Sequence, residues 1–112
     1  MQPRRYVMDK STFDKCSFSL VCATDIEEKL LDTLLLNFGD EVFFSLPTFS
    51  HGTAGGLLNP LEQVLGRSRS VYVQILLTKA ESESLQQLLH ADFAGTGIRY
   101  WVSPISLEGE LA

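Results

Sequence analysis

Two stretches of this chain constrain its fold more than anything else in it: each is an alternating apolar run followed at once by threonine and, three residues later, glutamate. In the first, Cys16, Phe18, Leu20 and Cys22 alternate with Ser17, Ser19, Val21 and Ala23, and Thr24-Asp25-Ile26-Glu27 follows. In the second, Val71, Val73, Ile75 and Leu77 alternate with Tyr72, Gln74 and Leu76, and Thr78-Lys79-Ala80-Glu81 follows. Period-two alternation marks a strand with one strongly apolar face. Thr-x-x-Glu is a capping box, in which the threonine oxygen and the glutamate side chain each satisfy an orphan backbone donor at a helix start. The chain is therefore expected to pass from strand to helix twice with almost no connector.

The residues after each box fit that expectation. Ile26, Leu30, Leu31, Leu34 and Phe38 share one helical face while Glu27, Glu28, Lys29 and Asp32 lie on the wet side, so a helix is predicted over 25–38 with Gly39 in a left-handed terminal position. Leu85, Leu88, Leu89 and Phe93 form the stripe of a second helix, ended by Gly95-Thr96-Gly97. Two further strands complete the pattern. Val42, Phe44 and Leu46 alternate with Phe43 and Ser45, and Pro47 argues for a sheet edge because proline cannot donate to a ladder. Ile98, Tyr100 and Val102 alternate with Arg99, Trp101 and Ser103 before Pro104. The order βαββαβ reads as an α+β, ferredoxin-like sandwich: a four-stranded antiparallel sheet, first and third strands central, with both helices on one face. The other face, with Val21, Tyr72, Leu76 and either Phe43 or Trp101, is too apolar to stay wet, which predicts self-association.

Length and composition narrow the class. A chain of 112 residues fits one domain, read as 16–112 after a flexible extension over 1–15, with the acidic SLEGELA segment peripheral. A net charge of -5 opposes nucleic acid as a partner, since Arg67 and Arg69 form the only dense basic pair. No apolar run reaches the roughly eighteen residues a membrane span needs, and the N-terminus lacks a secretory apolar stretch, so a cytoplasmic location without membrane insertion is expected. Cys16 and Cys22 would lie roughly 20 Å apart along one strand. That spacing excludes a disulfide between them.

The segment from Ser50 to Ser70, SHGTAGGLLNPLEQVLGRSRS, interrupts the regular pattern and is longer than a plain connector requires. Its glycines and the helix start at Asn59-Pro60 suit an anion cradle, although GxxxxGK[ST] is absent and a flexible protein-contact loop is the preferred reading. His51 in that loop is the best single metal-ligand candidate, against a solvent-exposed histidine as the plainer reading. Arg67 and Arg69 alternate at the start of the third strand and so share a face, where they either clamp a phosphate or carboxylate or end a strand in solvent. Gly95, Thr96, Gly97 and Arg99 suit a small anion site or a tight turn, the turn being preferred. Cys22 and Cys16 read as small inward hydrophobes, and His90 as a helix-end residue without a functional role. No Cys/His or Ser/His spacing, paired carboxylates or HExxH motif is present, so no enzymatic activity is expected.

With βαββαβ order and an extended segment between strands two and three, the chain resembles the PII-like superfamily of small signalling proteins, the nitrogen regulatory protein among them, and the related CutA proteins. More closely, His51-Gly52 in the loop, LxEQVxGRxR from Leu61 and GTGIRYWV from Gly95 resemble a small bacterial family of uncharacterised PII-like proteins found near heavy-metal efflux systems. The resemblance implies a homotrimer with sheets packed inward and effector sites in clefts between subunits. Gly52, Arg67 and Arg69 would frame the loop side of such a cleft, and Gly95, Thr96, Gly97 and Arg99 the turn side. Two departures stand out: no tyrosine lies between Ser50 and Ser70 where PII proteins carry a modifiable one, and their longer lysine-bearing turn is here reduced to GTG. VCATD, from Val21, is similar to the first-strand end of CutA proteins, which would make Cys22 a copper contact.

Together these readings predict a small regulatory protein that binds a partner, such as a membrane transporter or regulator, through its loop and senses an anionic small molecule, with a nucleotide or a divalent metal as the candidate ligands. A metal-tolerance protein of CutA-like type, using His51 and Cys22, is the alternative.

Overall fold

The computed structural model describes residues 14–52 and 67–112. They form four strands and two helices: β1 (Lys15–Ala23), α1 (Glu27–Phe38), β2 (Phe43–His51), β3 (Arg67–Thr78), α2 (Lys79–Asp92) and β4 (Arg99–Pro104). All three strand pairings are antiparallel, in the order β2-β3-β1-β4. The first and third strands are central, as the alternation predicts, and β2 with its Pro47 is an edge. Residues 1–13 of the expected N-terminal extension and the helix expected from Asn59-Pro60 lie outside the described residues. Lys15, assigned to the extension on sequence grounds, belongs to β1, where its Nζ stands 3.3 Å from Glu108.

The core lies between the sheet and the helices. Phe18, Leu20, Val73, Ile75 and Leu77 project from the central strands onto Leu30, Leu34, Leu85 and Leu89, all of them buried. Burying a side chain of this size contributes roughly 1.5–3 kcal/mol, so this layer dominates the stability. Its rim is closed by aromatic contacts: Phe18 stacks on Tyr100 at 5.4 Å, and the Tyr100 hydroxyl lies 2.9 Å from His90 Nε2. Across the helix pair, Lys29 Nζ donates to the Asp92 carbonyl at 3.0 Å and sits over the Phe93 ring.

The two threonine boxes behave differently. At Thr78 the box forms in full: Oγ1 accepts from Glu81 N–H at 3.1 Å, and Glu81 Oε1 accepts from Thr78 N–H at 2.9 Å. At Thr24 it does not, because the chain first makes a 3-10 turn over Thr24–Ile26 and α1 begins only at Glu27, with Ile26 in the cap position and no side-chain cap. Gly39 is a second correction. Its φ is -65°, ordinary right-handed backbone. What the position needs is space, since a Cβ there would meet the Leu35 carbonyl oxygen at 2.5 Å.

Among the described residues, no layer covers the face away from the helices. Phe44 and Leu46 of β2, Tyr72, Gln74 and Leu76 of β3, Ser17, Ser19 and Val21 of β1, and Arg99 and Trp101 of β4 share it by register. Phe43, a candidate for this face on sequence grounds, instead pairs with Ile75 and packs on the core. Trp101 does stand on the open face, 48% exposed, with its ring 6.3 Å from that of Tyr72. The centre is more polar than apolar periodicity suggests: Ser19 Oγ lies 3.1 Å from the Tyr72 hydroxyl, and Gln74 Nε2 donates to Ser17 Oγ at 2.8 Å.

Candidate functional site

Every predicted site residue belongs to one end of the sheet, the end at which β1 stops and β3 begins. There β2 and β3 continue as a two-stranded ribbon beyond Ala23, the last paired residue of β1: Thr48 faces Ser70, Phe49 faces Arg69, Ser50 faces Ser68 and His51 faces Arg67. His51 is therefore a strand residue, not a loop residue. Strand β2 runs past Pro47 because an edge position leaves the missing N–H without a ladder partner to disappoint. Gly52 follows at φ +91°, the first residue to leave the ribbon, and here only glycine turns without strain.

Strand alternation gives the ribbon two chemically distinct faces. Thr48, Ser50, Ser68 and Ser70 form a hydroxyl face continuous with the open side of the sheet, with Ser50 Oγ and Ser70 Oγ 2.7 Å apart. Phe49, His51, Arg67 and Arg69 occupy the other, with the Arg67 guanidinium 4.5 Å from the centre of the Phe49 ring. Phe49 is 48% exposed. A cation over an exposed aromatic face contributes roughly 0.5–1 kcal/mol, which biases the guanidinium toward the ribbon. Sequence reasoning found both arginines and missed Phe49. Its signal was the apolar residue at the same parity as His51, legible only once β2 is known to continue.

The turn side is built from Gly95, Thr96 and Gly97. Both glycines take positive φ, +80° and +79°. Thr96 N–H donates to the Phe93 carbonyl at 3.2 Å, its hydroxyl donates to the same oxygen at 2.6 Å, and Ile98 N–H donates back to that hydroxyl at 3.5 Å. These bonds close the helix-to-strand turn. Arg99 opens β4 and pairs with Val21 on the open face.

Arg99 and the ribbon arginines do not converge within one subunit. Two strands at about 4.8 Å and three residues at about 3.3 Å separate the Arg99 and Arg69 backbones by roughly 14 Å, and the two side chains leave opposite faces of the sheet. The candidate metal ligands are equally divided. By the same measure Cys22 and His51 are about 16 Å apart, beyond sharing one ion. Cys22 is buried against the helices, and burial, reinforced by the nearby Glu27 and Asp25 carboxylates, pushes its thiol up to about 11. Both cysteines are free thiols. Among the described residues no group of three or more His, Cys, Asp and Glu side chains is placed to hold a metal ion. Likewise, no helix among them is long and apolar enough to cross a membrane.

Comparison with known proteins agrees with this geometry at the level of the fold. The family model described as "Protein of unknown function (DUF3240)" matches residues 12–112. No curated protein matches the chain. The crystal structure of a DUF3240 family protein from Shewanella baltica OS155, determined at 2.40 Å, is similar with a TM-score of 0.69 and 19% identity, covering 88% of this chain and 98% of that one. The chain belongs to the DUF3240 family.

Proposed function

We propose that this DUF3240 family member is a non-catalytic, PII-like regulatory protein of the cytoplasm that acts as a homotrimer. Its ribbon docks a partner protein, a membrane transporter or its regulator, and an anionic small molecule tunes that docking. The observation that carries the reading is the division of the molecule into two exposed surfaces of different chemistry. One is the open sheet face, where Phe44 is 63%, Leu46 48% and Trp101 48% exposed. Apolar side chains collected on one uncovered face mark an association surface. The other is the Phe49, His51, Arg67 and Arg69 face of the ribbon, cationic in a chain of net charge -5.

Association also gives the separated arginines a reason. Arg99 lies two strands from β3 and leaves the opposite face of the sheet from the ribbon arginines. A neighbouring copy packed on the open face would turn the hydroxyl face of its ribbon, Thr48, Ser50, Ser68 and Ser70, toward Arg99, so that an anion could be held by groups from two subunits.

A thermal-shift screen tests the ligand assignment, because any molecule that binds the native state alone raises the melting temperature by mass action. Phosphate-bearing ligands are expected to stabilise the wild type, and the shift to disappear in Arg67→Gln/Arg69→Gln. A shift that survives the double substitution would remove the ribbon from the site. The metal-tolerance alternative rests on His51, given the depth of Cys22. Calorimetric titration with divalent copper and zinc, on wild type and His51→Ala, decides it: binding lost with the histidine would favour a metal-binding role.

A further inference from the structure

Among the described residues, the segment that follows β4 has no apolar seat for its leucines. Leu107 is 68% and Leu111 102% exposed, and Glu110 is exposed as well. Among the described residues it is tied by Ile105 N–H to the Lys15 carbonyl at 3.1 Å and by the Lys15–Glu108 pair at 3.3 Å, both near the start of β1. The spacing of its acids is notable: in Glu108-Gly109-Glu110 the carboxylates are two residues apart, so an extended chain places both on one side and Leu107, Gly109 and Leu111 on the other. Arg67-Ser68-Arg69 shows the same spacing in the opposite charge, already extended and already on one face of the ribbon.

We infer that the Glu108-Gly109-Glu110 segment of one copy lies along the Arg67-Ser68-Arg69 strand of another, pairing carboxylate with guanidinium at two successive positions. Matching periods let both forks engage at once, which a single carboxylate would not do. The partner must be a second copy. Pro104 stands beside Cys16 and Cys16 beside Leu77, ten residues along β3 from Arg67, or about 33 Å of strand. From Ile105 to Glu110 the chain reaches at most about 18 Å. Glu108 gives up an exposed pair with Lys15, which costs little, and the neighbour's acid joins or exchanges with the contact that Arg69 already makes. The pairing deepens the assembly proposed above and rests on it only in needing another copy within reach.

Intermolecular paramagnetic relaxation tests it. Ala112→Cys carries a spin label on one population of full-length chain, the native Cys16 and Cys22 being buried, and is equilibrated with isotope-labelled wild type. Amide signals of Phe49 and of Arg67 to Ser70 in the wild-type chain should broaden, and placing Glu108→Gln/Glu110→Gln in the labelled chain should reduce that broadening about five-fold, the worth of two exposed charge pairs. Absent broadening at Arg67 to Ser70, or equal broadening with the neutral segment, overturns the pairing. Solution mass measured on the same samples separates the two readings: a trimer without broadening removes only the tail pairing, whereas a monomer removes the proposed assembly.

Discussion

The two threonine boxes invite a paired experiment, because the same four-residue pattern is used in one place and unused in the other. At Thr78, the Oγ1 bond to Glu81 N–H closes an orphan donor in a partly buried position, and Thr78→Ala removes it while leaving the reciprocal Glu81 bond in place. Loss of a threonine cap costs about 1–2 kcal/mol in such a setting. At Thr24 the side chain makes no cap and is exposed, so Thr24→Ala should change stability by about 0.5 kcal/mol or less. The unfolding entropy of roughly 2.1 cal/mol/K per residue comes to about 0.2 kcal/mol/K for a domain of this length, so Thr78→Ala should lower Tm by about 5–10 °C and Thr24→Ala by no more than about 2 °C. Calorimetric melts at one protein concentration, with wild type alongside, measure both, since association would otherwise shift Tm by itself. Equal losses at the two sites would refute the argument, showing that the 3-10 entry to α1 depends on Thr24 as the formed box depends on Thr78.

Three further outcomes are expected. The Cys22 thiol is neutral in the folded protein up to about 11 against 9.0 for an unperturbed thiol, so its contribution to stability is complete below pH 9 and is lost as pH rises from 9 towards 11; urea melts across that window should show a fall that Cys22→Ala flattens, and an unchanged fall would assign the effect elsewhere. Gly95 has φ +80° and open space around a Cβ, so Gly95→Ala should cost about 1–2 kcal/mol from backbone conformation alone and Gly95→Asn clearly less; equal losses in denaturant melts would point to contacts instead. Trp101→Glu, on the open face of the edge strand β4 where the indole is 48% exposed, should leave the far-ultraviolet dichroism of the subunit unchanged while lowering its mass in solution, and an unchanged mass would exclude this face as the interface.

Most of the fold was legible because helix and strand periods are cleanly separated in this chain. The runs from Cys16 and Val71 have one apolar parity each, so their inward faces and central positions follow directly, and Pro47 identified an edge. Strand β2 was harder. Phe43 and Phe44 are adjacent and equally apolar, so parity alone does not say which is inward; pairing with Ile75 decides for Phe43. The Thr24 box misled because the pattern specifies a cap's chemistry and not whether the preceding strand delivers the chain at a helical angle. Gly39 was read for its conformational freedom when the reason is its closeness to the Leu35 carbonyl.

The candidate site was legible in its residues and not in its arrangement. Alternation correctly places Arg67 and Arg69 on one face, but the opposite orientation of Arg99 depends on the register of β4 against β1, a long-range pairing with no local signal. The same holds for Phe49, whose role beneath Arg67 follows from a ribbon that continues past a proline. What emerges is a subunit with its arginines divided between two faces, Arg99 on the open side and Arg67 and Arg69 on the other.

The mass of the chain in solution therefore tests the central claim most directly. Multi-angle light scattering at micromolar concentration should return three times the subunit mass of 12.5 kDa. A monomer at that concentration would contradict the account, because the open face would then need no partner and Arg99 would have no ribbon beside it.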